Sequence, residues 1–470
     1  MGVYSPPAQK THHFRWSSGF DGSHMKIAIV GSGISGLAVA HALRERAQVT
    51  LFEANDYFGG HTHTVDVTLP GRLEPLGPLQ PVTWGVDTGF LVFNERTYPR
   101  LIQLFEDLGV AVAKSDMSFS VRSPLPSGRH LEWNGASLNT VFAQRPNLFN
   151  WQFISMLREV MRFNQLTTSL AELGQEHELM QPLAEFLRQH RFSVAFQEWY
   201  FLPMLGCIWS CPTQQMLQFP VSTMIRFCHN HGLIQVNNRP QWWTVQGGAR
   251  NYVNLILSEL EDRRLHTPVR AIDREARSVT IWTDQGSERF DKVVLATHSD
   301  QALALLKQPS LQEAQTLGAI KYHTNRAVLH TDVSVLPKQR RAWAAWNYER
   351  ALSADQEQAG VCLHYLLNKL QPLPFDQPVI ETLNPVRPIA PQHVLGEFEY
   401  AHPVFDVEAM RAQGEMPTLQ GQQHTYFCGA WMGYGFHEDG LKAGLEVARL
   451  IQFLPEPSAL RSHSFEAIGK

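Results

Sequence analysis

The sequence predicts an α/β protein in which a parallel nucleotide-binding sheet, built from separated stretches of chain, is interleaved with a second, α+β domain. Three observations point there. First, "KIAIVGSGISGLAVAHALRERAQVTLFEAN" reads as a short apolar strand, a glycine-rich turn, a helix with Ile34, Leu37 and Ala38 on one face, and a second strand ending at Glu53. That is the length of a β-α-β unit. Second, the buried-strand signal returns far downstream in "FDKVVLATHSD", behind a hairpin-like "SVTIWTDQGSERF". Third, residues 95–240 are aromatic-rich and mainly helical in pattern, while residues 315–400 hold strand-like runs such as "NRAVLHTD" and "VCLHYLLNKL". Pro-rich stretches such as "QPLPFDQPV" and "NPVRPIAPQH" read as loops, because apolar residues interrupt them. The expected partition is 25–94, 241–302 and 421–456 for the nucleotide-binding domain and 95–240 and 303–420 for the substrate domain. Residues 457–470 form a tail, and residues 1–24, with "DGSHM" resembling a cloning scar, form a leader outside the fold.

Composition narrows the partners. With 470 residues, 44% hydrophobic and 18% charged, the chain can bury a large core, and a formal charge of −4 without runs of like charge leaves no electrostatic footprint for nucleic acid. A small-molecule substrate is the expectation. Five cysteines in so long a chain suit reduced thiols and a cytoplasmic location better than a disulfide framework. No apolar run reaches the roughly 20 residues that span a bilayer. Peripheral membrane contact stays open.

Gly31-Ser32-Gly33-Ile34-Ser35-Gly36 fits G-x-G-x-x-G with a strand before it and a helix after it. Gly31 permits the tight turn, Gly33 lets a pyrophosphate approach the backbone, and Gly36 lets helix and strand pack closely, so that the helix N-terminus faces the phosphates. Glu53, 22 residues after Gly31, suits the ribose hydroxyls of an adenosine and would repel a 2′-phosphate. FAD or NAD therefore fits better than NADP. Gly59-Gly60 in "NDYFGGHTHTV" offers a second close backbone approach that an NAD fold does not need.

At these residues the chain resembles the FAD-binding amine-oxidase-like superfamily, and more closely bacterial flavoproteins encoded beside cyclopropane-fatty-acid synthases or fused ahead of them in some plants. The resemblance runs from about Met25 to residue 453 through "GGHTHTV", "VDTGFLVFNERTYP", "SDMSFSV", "NHGLI", "TVQGGARNYV", "VVLATHSDQAL", "AVLHTD", "AWNYER", "TLNP" and "GFHEDGLKAG". It implies FAD, a glutathione-reductase-like Rossmann domain and an amine-oxidase-like substrate domain. It also implies that Val269 touches the adenine through its backbone, that Gly89-Phe90 lie against the isoalloxazine, and that Gly247-Gly248 form a close-packed loop nearby. Gly59, Gly60, His61 and Thr62 would flank the cofactor, although His61 stands where the superfamily often has Arg, which puts charge neutralisation of the pyrophosphate from that position in doubt.

In the resembling fold the last strand returns beneath the FAD, and Gly429-Ala430, Gly433 and Gly435 let the backbone run close to it. Glu438-Asp439-Gly440-Leu441 then open a helix whose unpaired amides, those of Leu441 or Lys442, would point at the flavin N1–C2=O edge. His437 and Glu438 are the candidates for a proton-handling pair, against capping or phosphate-side hydrogen bonding. The Lys that amine oxidases commonly place near N5 has no evident counterpart in "YHTNRAVLH", where Asn325 and Arg326 stand and Lys321 lies a few residues earlier.

No metal is expected. Cys207, Cys211, Cys228, His229 and His231 lack the paired spacing of zinc sites, and "GFHEDG" is not H-E-x-x-H because Leu441 occupies the second His position. The helix in "LFNWQFISMLREVMRF", with Arg158 and Arg162, reads as packed into the substrate domain, as lining an acyl tunnel, or as resting on a membrane surface. The expected function is hydride transfer to flavin N5 from a fatty acyl or modified lipid, as the resemblance implies. Oxidation of an amine or amino acid is an alternative, and so is a flavin-bound accessory role beside a lipid methyltransferase.

Overall fold

The computed structural model describes residues 25–74, 77–174, 181–209, 212–233, 240–351 and 360–453; the leader, the tail and Cys211 lie outside them. At its centre is a five-stranded parallel sheet in the order Asp262–Arg264, Gln48–Phe52, Lys26–Val30, Lys292–Leu295, Thr425–Phe427. Numbered along the chain, this is 3-2-1-4-5, five strands of the Rossmann order 3-2-1-4-5-6. Its strands are short and, except for the edge strand Asp262–Arg264, almost wholly buried: Ile27, Ala28, Ile29, Leu51, Val293, Val294, Leu295 and Phe427 have no solvent exposure. Near-continuous Ile/Val/Leu runs suit a parallel sheet because both faces are covered.

One face carries helices Ile34–Leu43, Pro99–Leu108, Arg250–Ser258 and His437–Phe453. The other carries the antiparallel sheet Val269–Arg274, Val279–Thr283, Gly286–Phe290 and helices Ser299–Leu305, Leu311–Gly318 and Val407–Leu419. The helix at Pro99–Leu108, expected in the substrate domain, thus buries Leu101, Leu104 and Phe105 on the nucleotide-binding sheet. The helices at 311–318 and 407–419 likewise pack there rather than with the substrate sheet. Their apolar stripes match the sheet that lies nearest in space, not the one nearest in sequence.

The second layer is a seven-stranded sheet in the order Val394–Val404, Lys321–His330, Ile380–Leu383, Cys362–Leu366, Trp346–Glu349, Phe119–Pro124, His130–Asn134. All neighbours are antiparallel except Phe119–Pro124 with Trp346–Glu349. Helices Trp151–Glu172, Leu183–Gln189, Leu202–Trp209 and Val221–Asn230 share its core with Trp133, Trp199 and Trp209. Residues 95–240 are therefore less uniformly helical than their pattern predicts. Two of their strands are recruited into this sheet, and a third, Val112–Ser115, pairs with Trp242–Val245. "VCLHYLLNKL" likewise divides into a strand to Leu366 and a short helix, Leu367–Leu370.

Candidate functional site

The strands of the parallel sheet end at the glycine-rich loop. Gly31 has φ +100°, and its N–H donates to the Phe52 carbonyl at 2.9 Å. A Cβ at Gly36 would stand 2.0 Å from the Gly31 carbonyl oxygen, so this position holds the first turn of helix Ile34–Leu43 against the strand exit. Gly33 differs from both: a Cβ there would meet no atom within 4 Å. Packing does not require glycine at 33, whereas backbone approach of a ligand does. Gly33 is also the helix N-cap and provides no side-chain capping bond, leaving first-turn amides, including those of Ile34, Ser35 and Gly36, directed out of the helix.

Glu53, buried at the end of its strand, lies where the sequence places it. Its carboxylate accepts from Ser32 N at 3.1 Å, Ser32 Oγ at 2.5 Å and Asn55 N at 3.0 Å. Oε2 takes both Ser32 bonds, and Oε1, with the single bond from Asn55, keeps a lone pair for a ribose hydroxyl. Val269 follows directly on this corner, since Thr267 N donates to the Glu53 carbonyl at 2.8 Å. Ser32, not singled out in the sequence, ties in the second loop: its Oγ accepts from Gly59 N at 3.0 Å. Gly60 sits so close that its Cβ would lie 3.1 Å from the Gly33 Cα.

From Gly60 the chain runs to a compact polar knot. Phe90 N donates to the His61 carbonyl at 2.8 Å, and a Cβ on Gly89 would strike that carbonyl at 2.1 Å. The His437 ring stacks on Phe90, with centroids 3.8 Å apart and planes within 11°. His437 Nε2 lies 2.7 Å from Tyr252 OH and 3.2 Å from Thr62 Oγ1, which are themselves 2.6 Å apart. Burial pushes the His437 pKa down to about 3, so the ring is neutral and serves as a fixed hydrogen-bonding plate.

The helix begins at His437, and Gly440 N already bonds the Phe436 carbonyl at 3.1 Å. Its unpaired first-turn amides are therefore those of His437, Glu438 and Asp439, one turn earlier than the expected Leu441 or Lys442. Asp439 sets this start: its Oδ2 accepts from Tyr434 N and Phe436 N, both at 3.1 Å, one half of a capping box. Burial raises its pKa to about 6. Glu438 faces elsewhere, its carboxylate accepting from Arg100 N at 3.1 Å and Leu101 N at 2.9 Å at the start of helix Pro99–Leu108.

The glycines before this helix answer to the protein itself. A Cβ at 429 would meet the Trp431 indole at 2.2 Å, and one at 433 the Asp439 carboxylate at 2.6 Å. A Cβ on Gly440 would strike Ile34 Cγ2 at 2.7 Å, and Gly444 lies against the Ser35 carbonyl. Ala430 closes the turn by accepting from Gly435 N at 3.1 Å, and Leu441 is buried. These small residues bring the helix onto the dinucleotide loop.

On the side toward the seven-stranded sheet, the His61 ring has centroids 5.5 Å from Tyr400 and His402 and 6.0 Å from His298. Burial first, then the neighbouring imidazoles, lower the His61 pKa to about 3, and its Nε2 has no hydrogen-bond partner among the described residues. Tyr400 OH bonds Thr88 Oγ1 at 2.7 Å and His63 Nδ1 at 2.8 Å. Asn325 Nδ2 lies 3.0 Å from His402 Nδ1, whereas Lys321 and Arg326 point outward to Glu408 and Glu397. Asp87, buried beside Gly89, caps helix Arg250–Ser258 by accepting from Ala249 N at 2.8 Å. His298, His402, Tyr252 and Asp87 escaped the sequence reading. Their one signal was a polar residue inside an otherwise apolar strand end or helix.

Cys207 and Cys228 are buried thiols, and His231 stacks on Phe227 at 3.9 Å. Glu349, Cys362 and His364 do cluster within metal-ligand reach. The Glu349 carboxylate, however, is already bonded by Arg387 at 2.9 Å and paired with Arg122 at 3.1 Å, and two guanidiniums beside it make an ion cluster rather than a cation site.

The sequence model of flavin-containing amine oxidoreductases matches residues 34–452. The chain belongs to the flavin-containing amine oxidoreductase family. FAD is therefore its cofactor, and the open approach at Gly33, the buried Glu53 and the uncapped helix ends fit that group. Among curated proteins, it is 24% identical over 295 residues to the putative flavin-containing monoamine oxidase AofH of Mycobacterium tuberculosis, covering 61% of this chain and 59% of that protein. A shorter stretch of 54 residues, 11% of each chain, is 48% identical to the 1-hydroxycarotenoid 3,4-desaturase of a Flavobacterium species. The fold is shared with the fatty acid isomerase of P. acnes that produces CLA, at a TM-score of 0.60 and 16% identity over 92% of this chain and 99% of that one. Among the described residues, no helix of this family member is long and apolar enough to cross a membrane.

Proposed function

We propose that the protein is an FAD-dependent oxidoreductase that removes hydride from a C–H bond of a fatty acyl or other modified lipid. The observation that carries the reading is the convergence of Gly33, Glu53, Gly60 and the start of helix His437–Phe453 at the end of one parallel sheet, although they come from distant parts of the chain. When bound, FAD supplies the hydride acceptor. The amides of Ile34, Ser35 and Gly36 hold its pyrophosphate, Glu53 takes the ribose hydroxyls, and the Val269 backbone meets the adenine. Gly59 and Gly60, which lie against Ser32 and Gly33, would approach the same phosphates, while Thr62, Gly89 and Phe90 would wall the ring, toward which the positive end of helix His437–Phe453 would be turned.

Proton handling falls to the polar strip of His61, His402 and Tyr400. Glu438 is spent on capping, and His437 Nε2 is already engaged by Tyr252 and Thr62. His61 brings an unpartnered Nε2 to that strip. A lipid substrate is supported by the resemblance to flavoproteins associated with cyclopropane-fatty-acid synthases, by the activities for which the similar isomerase and desaturase are named, and by the outward position of Lys321. The amine reading rests on the similarity to AofH. Anaerobic mixing with lipid extracts and with an amine panel decides between them. Bleaching of the flavin absorbance by a lipid fraction, with mass spectrometry showing a product two hydrogens lighter, is the expected result; bleaching by amines alone refutes the lipid reading.

A further inference from the structure

One part of the surface is unlike the rest. Leu138, Leu148, Phe149 and Trp151 are 80%, 47%, 87% and 78% exposed, all within one turn-rich stretch that leads into helix Trp151–Glu172. Isolated exposed apolar residues need no explanation, but four large ones within 14 positions, two of them aromatic, make a patch. The patch is held in shape from behind. Asn150 Oδ1 caps the helix by accepting from Gln152 N at 3.1 Å and Phe153 N at 3.3 Å, and Phe153 and Met156 are buried beneath. Arg145 Nη1 donates to the Phe142 carbonyl at 2.9 Å, which locks the preceding turn.

The charge around the patch has a single sign. From Trp133 to Arg158 there is no Asp or Glu, while Arg145 and Arg158 are exposed. The short helix Arg340–Ala342 packs against Leu138–Val141 and adds Arg340 and Arg341, with Lys338 just before it, in a second acid-free stretch from 333 to 348. The acids that bound the first stretch are engaged: Glu132 is 2% exposed and accepts from the amides of Lys338 and Gln339 at 3.0 and 2.9 Å, and Glu159 accepts from Ser193 N at 3.1 Å and Ser193 Oγ at 2.7 Å. Exposed Trp, Phe and Leu rimmed by Arg and Lys are the chemistry of the boundary between lipid headgroups and acyl chains. The arginines answer anionic headgroups, and the aromatic tips enter the acyl boundary.

We propose that this protein docks on anionic lipid bilayers through the Leu138–Trp151 tip, with the basic residues of 338–341 and 145 against the headgroups. The interaction is peripheral and independent of which substrate the flavin oxidises. It stands or falls apart from the lipid-oxidation reading, because the test reads binding and not turnover.

The test is co-sedimentation of the FAD-loaded protein with large vesicles of phosphatidylcholine, with and without phosphatidylglycerol, at low and high salt. Binding should require phosphatidylglycerol and weaken with salt. F149S/W151S should lower the partition coefficient by about tenfold or more, and R340E/R341E should do the same, with flavin absorbance unchanged in both. Retained flavin absorbance distinguishes lost docking from lost folding. Failure of the wild type to sediment with phosphatidylglycerol vesicles, or sedimentation of both variants as complete as that of the wild type, overturns the proposal. A dimer in sedimentation velocity that F149S/W151S converts to monomer, without vesicle binding, overturns it in favour of a contact between copies.

Discussion

At the scale of the residue, the dinucleotide motif separates into positions that packing fixes as glycine and a position that packing leaves open. Gly36 is needed because a Cβ would meet the Gly31 carbonyl oxygen at 2.0 Å, whereas a side chain at Gly33 points where no protein atom lies within 4 Å. Gly33→Val should therefore fold with an unchanged melting temperature for the FAD-free protein and lose stoichiometric FAD. Gly36→Val should cost more than ~3 kcal/mol and melt early with or without FAD; equal behaviour of the two in thermal melts would contradict the assignment. Glu438→Ala removes a cap from helix Pro99–Leu108, at ~1–2 kcal/mol, and should change turnover of loaded enzyme less than ~10-fold. A loss of ~100-fold or more at unchanged FAD content would return Glu438 to the chemistry. The motif and Glu53 were legible because their spacing is short-range. Glu438 was not, because its partners Arg100 and Leu101 lie more than 300 positions away.

At the scale of the element, the seven-stranded sheet hides an ion cluster that no local pattern announces. Burial opposes charge on both Glu349 and His364, yet their mutual hydrogen bond at 3.0 Å, Cys362 beside His364 and the arginines beside Glu349 outweigh it. The Glu349 pKa is lowered and that of His364 raised. Stability from Glu349 is whole above its ordinary 4.5 and is lost as pH falls through the lowered value. Stability from His364 is whole below its ordinary 6.5 and is lost as pH rises through the raised value. The cluster therefore contributes most between these limits. His364→Gln should flatten the alkaline limb of a plot of melting temperature against pH, and an unaltered limb would show the pair to be uncharged. The sheet's strands read correctly in "NRAVLHTD", but Phe119–Pro124 and His130–Asn134 did not: the first takes its register from residues 346–349, and the second pairs with the first.

At the scale of the whole molecule, the site exists only where strands from residues 26–52, 262–295 and 425–427 meet. FAD bound across that junction, as proposed, would tie the pieces together, so a hundredfold excess over Kd should add ~2.7 kcal/mol and raise the melting temperature by several degrees. Gly33→Val should show no such rise on adding FAD. The same junction explains the partition of the chain. Helices at 99–108, 311–318 and 407–419 pack on the nucleotide-binding sheet, because an apolar stripe is buried by whichever face is within reach.

The sequence by itself determined the β-α-β unit, its glycine-rich turn and the place of Glu53 at the end of the second strand, because these depend on a short span of chain with fixed backbone requirements; the flavin followed from motifs along the whole chain that resemble those of a known superfamily. Only the tertiary structure decided that the glycines after Phe427 answer to Trp431, Asp439 and Ile34, that His437 lies stacked and neutral on Phe90, and that His61 meets His402. Those are contacts between distant segments, fixed by how whole layers pack and invisible to any window along the chain.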